Sequence, residues 1–116
     1  MYEINIVKKL IVFISIVFSI VYSEIVYRVP IEGVIDLGLP PYVKRVIKEA
    51  EASNIDAIVF EINTFGGRVD AATQIKDAIL SSEVQTIAFI NRRAISAGAL
   101  ISLSCEKVFM LSLIHI

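Results

Sequence analysis

Two short stretches of this chain hold residue types whose spacing could do chemistry. The first is Gly66-Gly67, which follows an apolar run rich in β-branched residues and precedes a segment of helical spacing. Paired glycines admit positive φ and let backbone N–H groups approach a ligand closely. At a helix start those groups also lie at the positive end of the dipole, which suits an anion or an oxyanion. The plainer alternative is a tight turn with no ligand. The second stretch is Ser96-Ala97-Gly98, again between an apolar run and a helical segment. A serine there can present its hydroxyl at the top of a sheet as a nucleophile, and Ala97 and Gly98 leave room for a substrate carbonyl. The alternative is that Ser96 only caps the helix, the commoner duty of serine at such a junction. A nucleophile at one strand end and N–H donors at the next would together form an acyl-transfer site.

A serine hydroxyl also needs a base within reach, a histidine or a neutral lysine. The sole histidine, His115, is the second-to-last residue, with only Ile116 after it. Lys107 opens an apolar segment, and nothing around it in the sequence marks it as buried and neutral. The residues therefore offer a nucleophile and an oxyanion loop but no base. The single cysteine, Cys105, excludes an intrachain disulfide and a cysteine metal cluster, and its apolar neighbours make it a small core residue. No metal or cofactor is expected.

The elements that must position these loops alternate between strand and helix. Ile25–Val29 reads as a strand and Gly33–Leu37 as a short second strand or turn. Pro40-Pro41 opens a helix, with Val43, Val46, Ile47 and Ala50 at helical spacing and Ser53-Asn54 ending it. Asp56–Ile62 is a β-branched run of the kind buried on both faces. Asn63–Gly67 reads as a loop, and Arg68–Ser82 as a helix with Val69, Ala72, Ile75 and Ile79 on one stripe. A strand over Thr86–Ile90, a loop over Asn91–Ile95, a short helix over Ser96–Ser104 and a strand over Lys107–Leu111 complete the order. Such alternation defines an α/β fold with a parallel sheet and crossover helices.

The chain has 116 residues, 56% of them apolar, and a net charge of −1. That balance excludes disorder and gives no electrostatic reason for a nucleic-acid partner. Residues 1–23 account for part of the apolar excess. Lys8 and Lys9 precede a run from Leu10 to Tyr22 broken only by Ser15 and Ser19, and Val21-Tyr22-Ser23 would suit cleavage after Ser23. This 1–23 segment reads as a signal peptide, with a membrane anchor as the competing reading. A 13-residue run rises only about 20 Å as a helix, against a hydrocarbon core of about 30 Å. An exported protein is expected, with residues 24–110 carrying the fold.

On the residues Ile58–Ala72 and Ala94–Leu103, the segment Val29–Met110 resembles the N-terminal protease domain of the NfeD family, membrane-bound serine proteases of the ClpP class. The resemblance implies a ClpP/crotonase-like fold and a Ser–Lys dyad. Ser96 would be the nucleophile, Gly67 and Ala97 the oxyanion donors, and Gly66 and Gly98 the supporting loop positions. It also implies cleavage of apolar polypeptide segments, including those of stomatin-like membrane partners, association with a membrane through the N-terminal segment and later helices, and a homo-oligomer. In two places the chain departs from the family's pattern. Phe65 stands where the family usually has proline. The family's lysine lies about forty residues beyond its serine, whereas this sequence has 20 residues after Ser96. The ending over 111–116 is also unlike the family's Pro/Gly-rich continuation, so a fragment with a foreign tail, itself inactive, is expected. A crotonase-like acyl-thioester enzyme and a non-catalytic exported scaffold are the alternatives.

Overall fold

In the computed structural model, residues 2–21 and 23–111 are described. Tyr22, at the end of the N-terminal apolar run, lies outside them, as do His115 and the rest of the tail after Leu111. The elements run α1 (Tyr2–Val21), β1 (Val26–Ile35), α2 (Leu39–Ala52), β2 (Ala57–Gly67), α3 (Val69–Leu80), β3 (Gln85–Ala94), α4 (Ala97–Ser104) and β4 (Lys107–Met110).

The four strands form one parallel sheet in the order β1-β2-β3-β4. A monotonic order with right-handed crossovers puts α2, α3 and α4 on the same face. The burial pattern records this one-sidedness. Ile58, Phe60, Ile62 and Thr64 of β2 are buried, while Val59, Glu61 and Asn63 between them are only half-buried. The β2 run therefore faces helices on one side only, not on both as its composition suggested. On the other side Glu61 accepts from Arg28 of β1 and from Asn91 of β3, at 2.8 Å in the latter case, so a polar cluster spans three strands there.

The core lies between sheet and helices. Val43, Ile47 and Ala50 of α2, and Ala71, Ala72, Ile75 and Ile79 of α3, close over Val29, Ile31, Phe60, Ile62, Ala88 and Ile90. Each fully buried Val, Ile or Phe side chain among these contributes about 1.5–3 kcal/mol. Pro40 and Pro41 sit in the first turn of α2, where missing N–H groups cost nothing. Cys105 is buried, and burial pushes its thiol up to about 12.

Several boundaries differ from the sequence-based expectation. Ile25–Val29 and Gly33–Leu37 join into the single strand β1, which passes through Gly33 at φ 76° where its register against β2 shifts. The Gly-Gly stretch ends β2 and residues 91–94 end β3, because Gly66, Gly67 and Ala94 still pair with a neighbouring strand beyond the apolar runs. Val69, expected on the buried stripe of α3, is 71% exposed, and Ala71 and Ala72 are the residues that the first turn of that helix buries.

The apolar side chains of α1 from Ile4 to Phe18 are exposed, and none of these residues belongs to the core. Among the described residues, no helix is long and apolar enough to cross a membrane.

Candidate active site

The ends of β2 and β3 bring the two sequence stretches together. Ser96 follows β3 with φ 55° and ψ −115°, one of two non-glycine residues with positive φ among the described residues. These angles match the first central position of a type II′ turn, where glycine is normally required. The Gly98 N–H closes that turn on Ile95 O at 3.0 Å. Ser96 is thus a strained elbow with an exposed side chain. It occupies the N-cap position of α4, but its hydroxyl makes no capping hydrogen bond.

The α4 amides leave one donor at the elbow. The first N–H groups of a helix have no partner within it. Here Gly98 bonds Ile95 O, while Ala99 and Leu100 both bond Ser96 O, at 2.9 and 3.2 Å. The Ala97 N–H is the one left over among the described residues.

Gly66 faces this donor. A Cβ built on Gly66 would lie 3.0 Å from both Ile95 O and Ser96 Cβ, and 3.3 Å from Ala97 N. Its φ of 111° independently demands glycine. Gly67 packs the other way, and a Cβ on it would overlap the backbone of Ile35. The Arg68 N–H that follows turns to β1, donating to Ile35 O at 2.8 Å.

Thr64 ties the arrangement together, and it is the residue that sequence reasoning missed. Its hydroxyl is buried, donates to Gly33 O, and accepts from Gly66 N–H at 3.0 Å. Its carbonyl takes Ile95 N–H at 3.1 Å, and its Cγ2 would be 2.5 Å from a Cβ on Gly98. One side chain thus braces β1, the glycine loop and the elbow. A signal was present: Thr64 shares strand parity with Ile58, Phe60 and Ile62, which places it on the buried face.

No base accompanies this arrangement among the described lysines. Lys107 starts β4 opposite Ile87, whereas Ser96 lies beyond the far end of β3. Measured along β2, where Val59 pairs with Ile87 and Thr64 with Ala94, those levels lie five residues apart, about 17 Å. Lys44 bonds Gln74 and Lys76 pairs with Asp77, both on the helices. No group of metal-ligating side chains occurs among the described residues.

The fold and this strand-end elbow define a ClpP-like α/β domain, and the chain belongs to the NfeD1b N-terminal domain family, whose family model matches residues 25–115. Membrane protein NfeD1b of Bacillus subtilis is 37% identical over 88 residues, 76% of this chain and 20% of that protein. The 1510-N membrane-bound stomatin-specific protease, for which Pyrococcus horikoshii is named, has been solved as a serine-to-alanine variant. It matches with TM-score 0.73 and 32% identity, over 78% of this chain and 45% of that one. A lysine-to-alanine variant of the same protease has been solved in complex with a substrate peptide. ClpP1 from Listeria monocytogenes matches with TM-score 0.65 and 30% identity, over 68% of this chain and 46% of that one. The chain spans about a fifth to a quarter of the length of its curated relatives.

Proposed function

We propose that this chain carries the nucleophile half of a membrane-associated serine endopeptidase. The observation that carries the reading is the strained, exposed and uncapped Ser96, set beside the unused Ala97 N–H and the Gly66-Gly67 turn. Strain of this kind costs on the order of 1–3 kcal/mol, and it persists where function needs the geometry.

In the proposed reaction, Ser96 Oγ gives its proton to the base and attacks the scissile carbonyl of a bound peptide. The C–N bond breaks, the amine leaves with that proton, and water then hydrolyses the acyl-enzyme ester to the carboxylic acid and free Ser96. The Gly67 and Ala97 N–H groups stabilise the oxyanion, while Gly66 and Gly98 keep side chains out of its space. The base is a lysine outside the described residues, in keeping with the relative solved as a lysine variant with substrate peptide. No cofactor or metal takes part. Apolar side chains flank the elbow: Phe65 and Val69 are about 70% exposed, and Leu100 lies on the first turn of α4. This rim suits an apolar peptide segment, such as part of a stomatin-like membrane protein, the substrate named for the related protease.

The exposed α1, with its apolar run after Lys8 and Lys9, serves as export signal or anchor, which puts the protease domain on the extracytoplasmic side. The open apolar residues Val108, Phe109 and Met110 of edge strand β4 fit association with further chains in a homo-oligomer. With its base elsewhere, residues 1–116 alone would be inactive. The test is cleavage of an apolar peptide by the full-length protein and by its Ser96→Ala variant. Loss of cleavage with unchanged folding supports the reading, and unchanged cleavage removes it.

A further inference from the structure

Two arginines beside the elbow have no carboxylate of their own. Arg28 pairs with Glu61 and Arg68 with Asp70, whereas Arg92 and Arg93 have no such partner among the described residues. They sit in an irregular part of β3. Ile90 pairs with Ile62, and the next pair is Ala94 with Thr64, so β3 holds two more residues than β2 over this interval. Bulges re-aim side chains next to active sites. This one carries Arg93 over the Phe65 ring, with Cζ 4.3 Å from the centroid.

Phe65 immediately precedes Gly66, the glycine that faces Ser96, and Phe65 is 70% exposed. A guanidinium held over an aromatic ring is fixed in position while its in-plane N–H donors stay available, in a fork that matches a carboxylate. Arg93 and Ser96 are three residues apart, so at most about 10 Å of chain separates them. A peptide bound as an extended strand covers that distance in about three residues.

We propose that Arg93, seated on Phe65, is a specificity-determining residue that selects apolar peptides carrying an acidic side chain within about three residues of the scissile bond. This deepens the peptidase reading of Ser96 and rests on it. The neighbouring exposed Arg92 adds charge of the same sign, which steers an acidic segment towards the rim. Because the pair forms at an exposed rim, its effect is modest, salt-sensitive and seen in KM rather than kcat.

The experiment uses the full-length protein and pairs of short, fluorescent apolar peptides that differ only by Glu or Gln at one position near the scissile bond. Binding and cleavage are measured side by side for the wild type and for Arg93→Ala, Arg93→Lys and Ser96→Ala. The expected result is about five-fold tighter binding of the best Glu peptide than of its Gln twin, with a matching difference in KM. Arg93→Ala loses that preference and Arg93→Lys keeps part of it, each read as the Glu-to-Gln ratio within the same variant. Equal binding of Glu and Gln peptides, or a Glu preference that survives in Arg93→Ala, overturns the inference even if Ser96-dependent cleavage is seen. An Arg93-dependent Glu preference in binding with no Ser96-dependent cleavage supports the acidic subsite and overturns the peptidase reading. No binding of either peptide overturns both.

Discussion

Replacing Ser96 with glycine should make the domain more stable while removing its hydroxyl. Ser96 holds φ 55° and ψ −115°, a region that any Cβ-bearing residue occupies at a cost of about 1–3 kcal/mol. Glycine relieves that cost but loses more chain entropy on folding, about 0.5–1 kcal/mol. The Ser96 side chain is exposed and makes no capping bond, so little favourable interaction is lost with it. The net gain is roughly 0–2.5 kcal/mol, with a midpoint of about 1 kcal/mol. For a domain of this size each kcal/mol raises Tm by about 4–8 °C. Ser96→Ala is the control: it keeps the Cβ and hence the strain, and should fall within about 0.5 kcal/mol of the wild type. Urea unfolding of the three proteins reads the difference as a shift in midpoint at constant m-value. A Ser96→Gly protein no more stable than Ser96→Ala would refute the claim that the elbow stores strain, and with it the main physical argument for a nucleophile there.

Other substitutions probe the bracing and the open sheet face. Gly98→Ala forces a Cβ against Thr64 Cγ2 in a buried site and should cost about 1–3 kcal/mol. Adding Thr64→Ser, which removes that methyl, should recover part of the loss, and additive effects in denaturant melts would contradict the contact. Glu61 is held below the usual carboxylate range by its hydrogen bond from Arg28, with Asn91 adding to it. A lowered folded-state pKa stabilises above the unfolded-state value and is lost as pH falls through the folded one. The wild type should therefore lose stability on acidification more steeply than Glu61→Gln, and parallel urea midpoints across the acid range would count against the pairing.

The fold class was legible because strand and helix segments alternate with clear apolar periods, and the order of elements needed only the handedness of crossovers. The lengths of β1, β2 and β3 were less legible. Gly66 and Gly67, which read as loop residues, stay paired with β1, while Arg92 and Arg93 bulge out before Ala94 pairs again, since pairing is decided by neighbouring strands rather than by local propensity. Gly66-Gly67 and Ser96-Ala97-Gly98 stood out by type and spacing, but sequence could not separate a nucleophile from a helix cap. The backbone angles of Ser96 are what distinguish the two geometries. Thr64 was hidden because a threonine beside an asparagine and two glycines looks like turn chemistry. Only its strand parity places its hydroxyl inside. Arg93 was silent as well, because the two-residue insertion that aims it at Phe65 appears only once β2 and β3 are paired.

The central claim is that Ser96 is an activated nucleophile. Its most direct test is to treat the full-length protein with a serine-directed phosphonate, map the adduct by mass spectrometry, and follow cleavage of an apolar peptide in parallel. The account predicts a single adduct on Ser96 that forms as cleavage is lost, with neither adduct nor cleavage in Ser96→Ala. Cleavage that persists while Ser96 stays unmodified, or an adduct that maps to another serine, would contradict it.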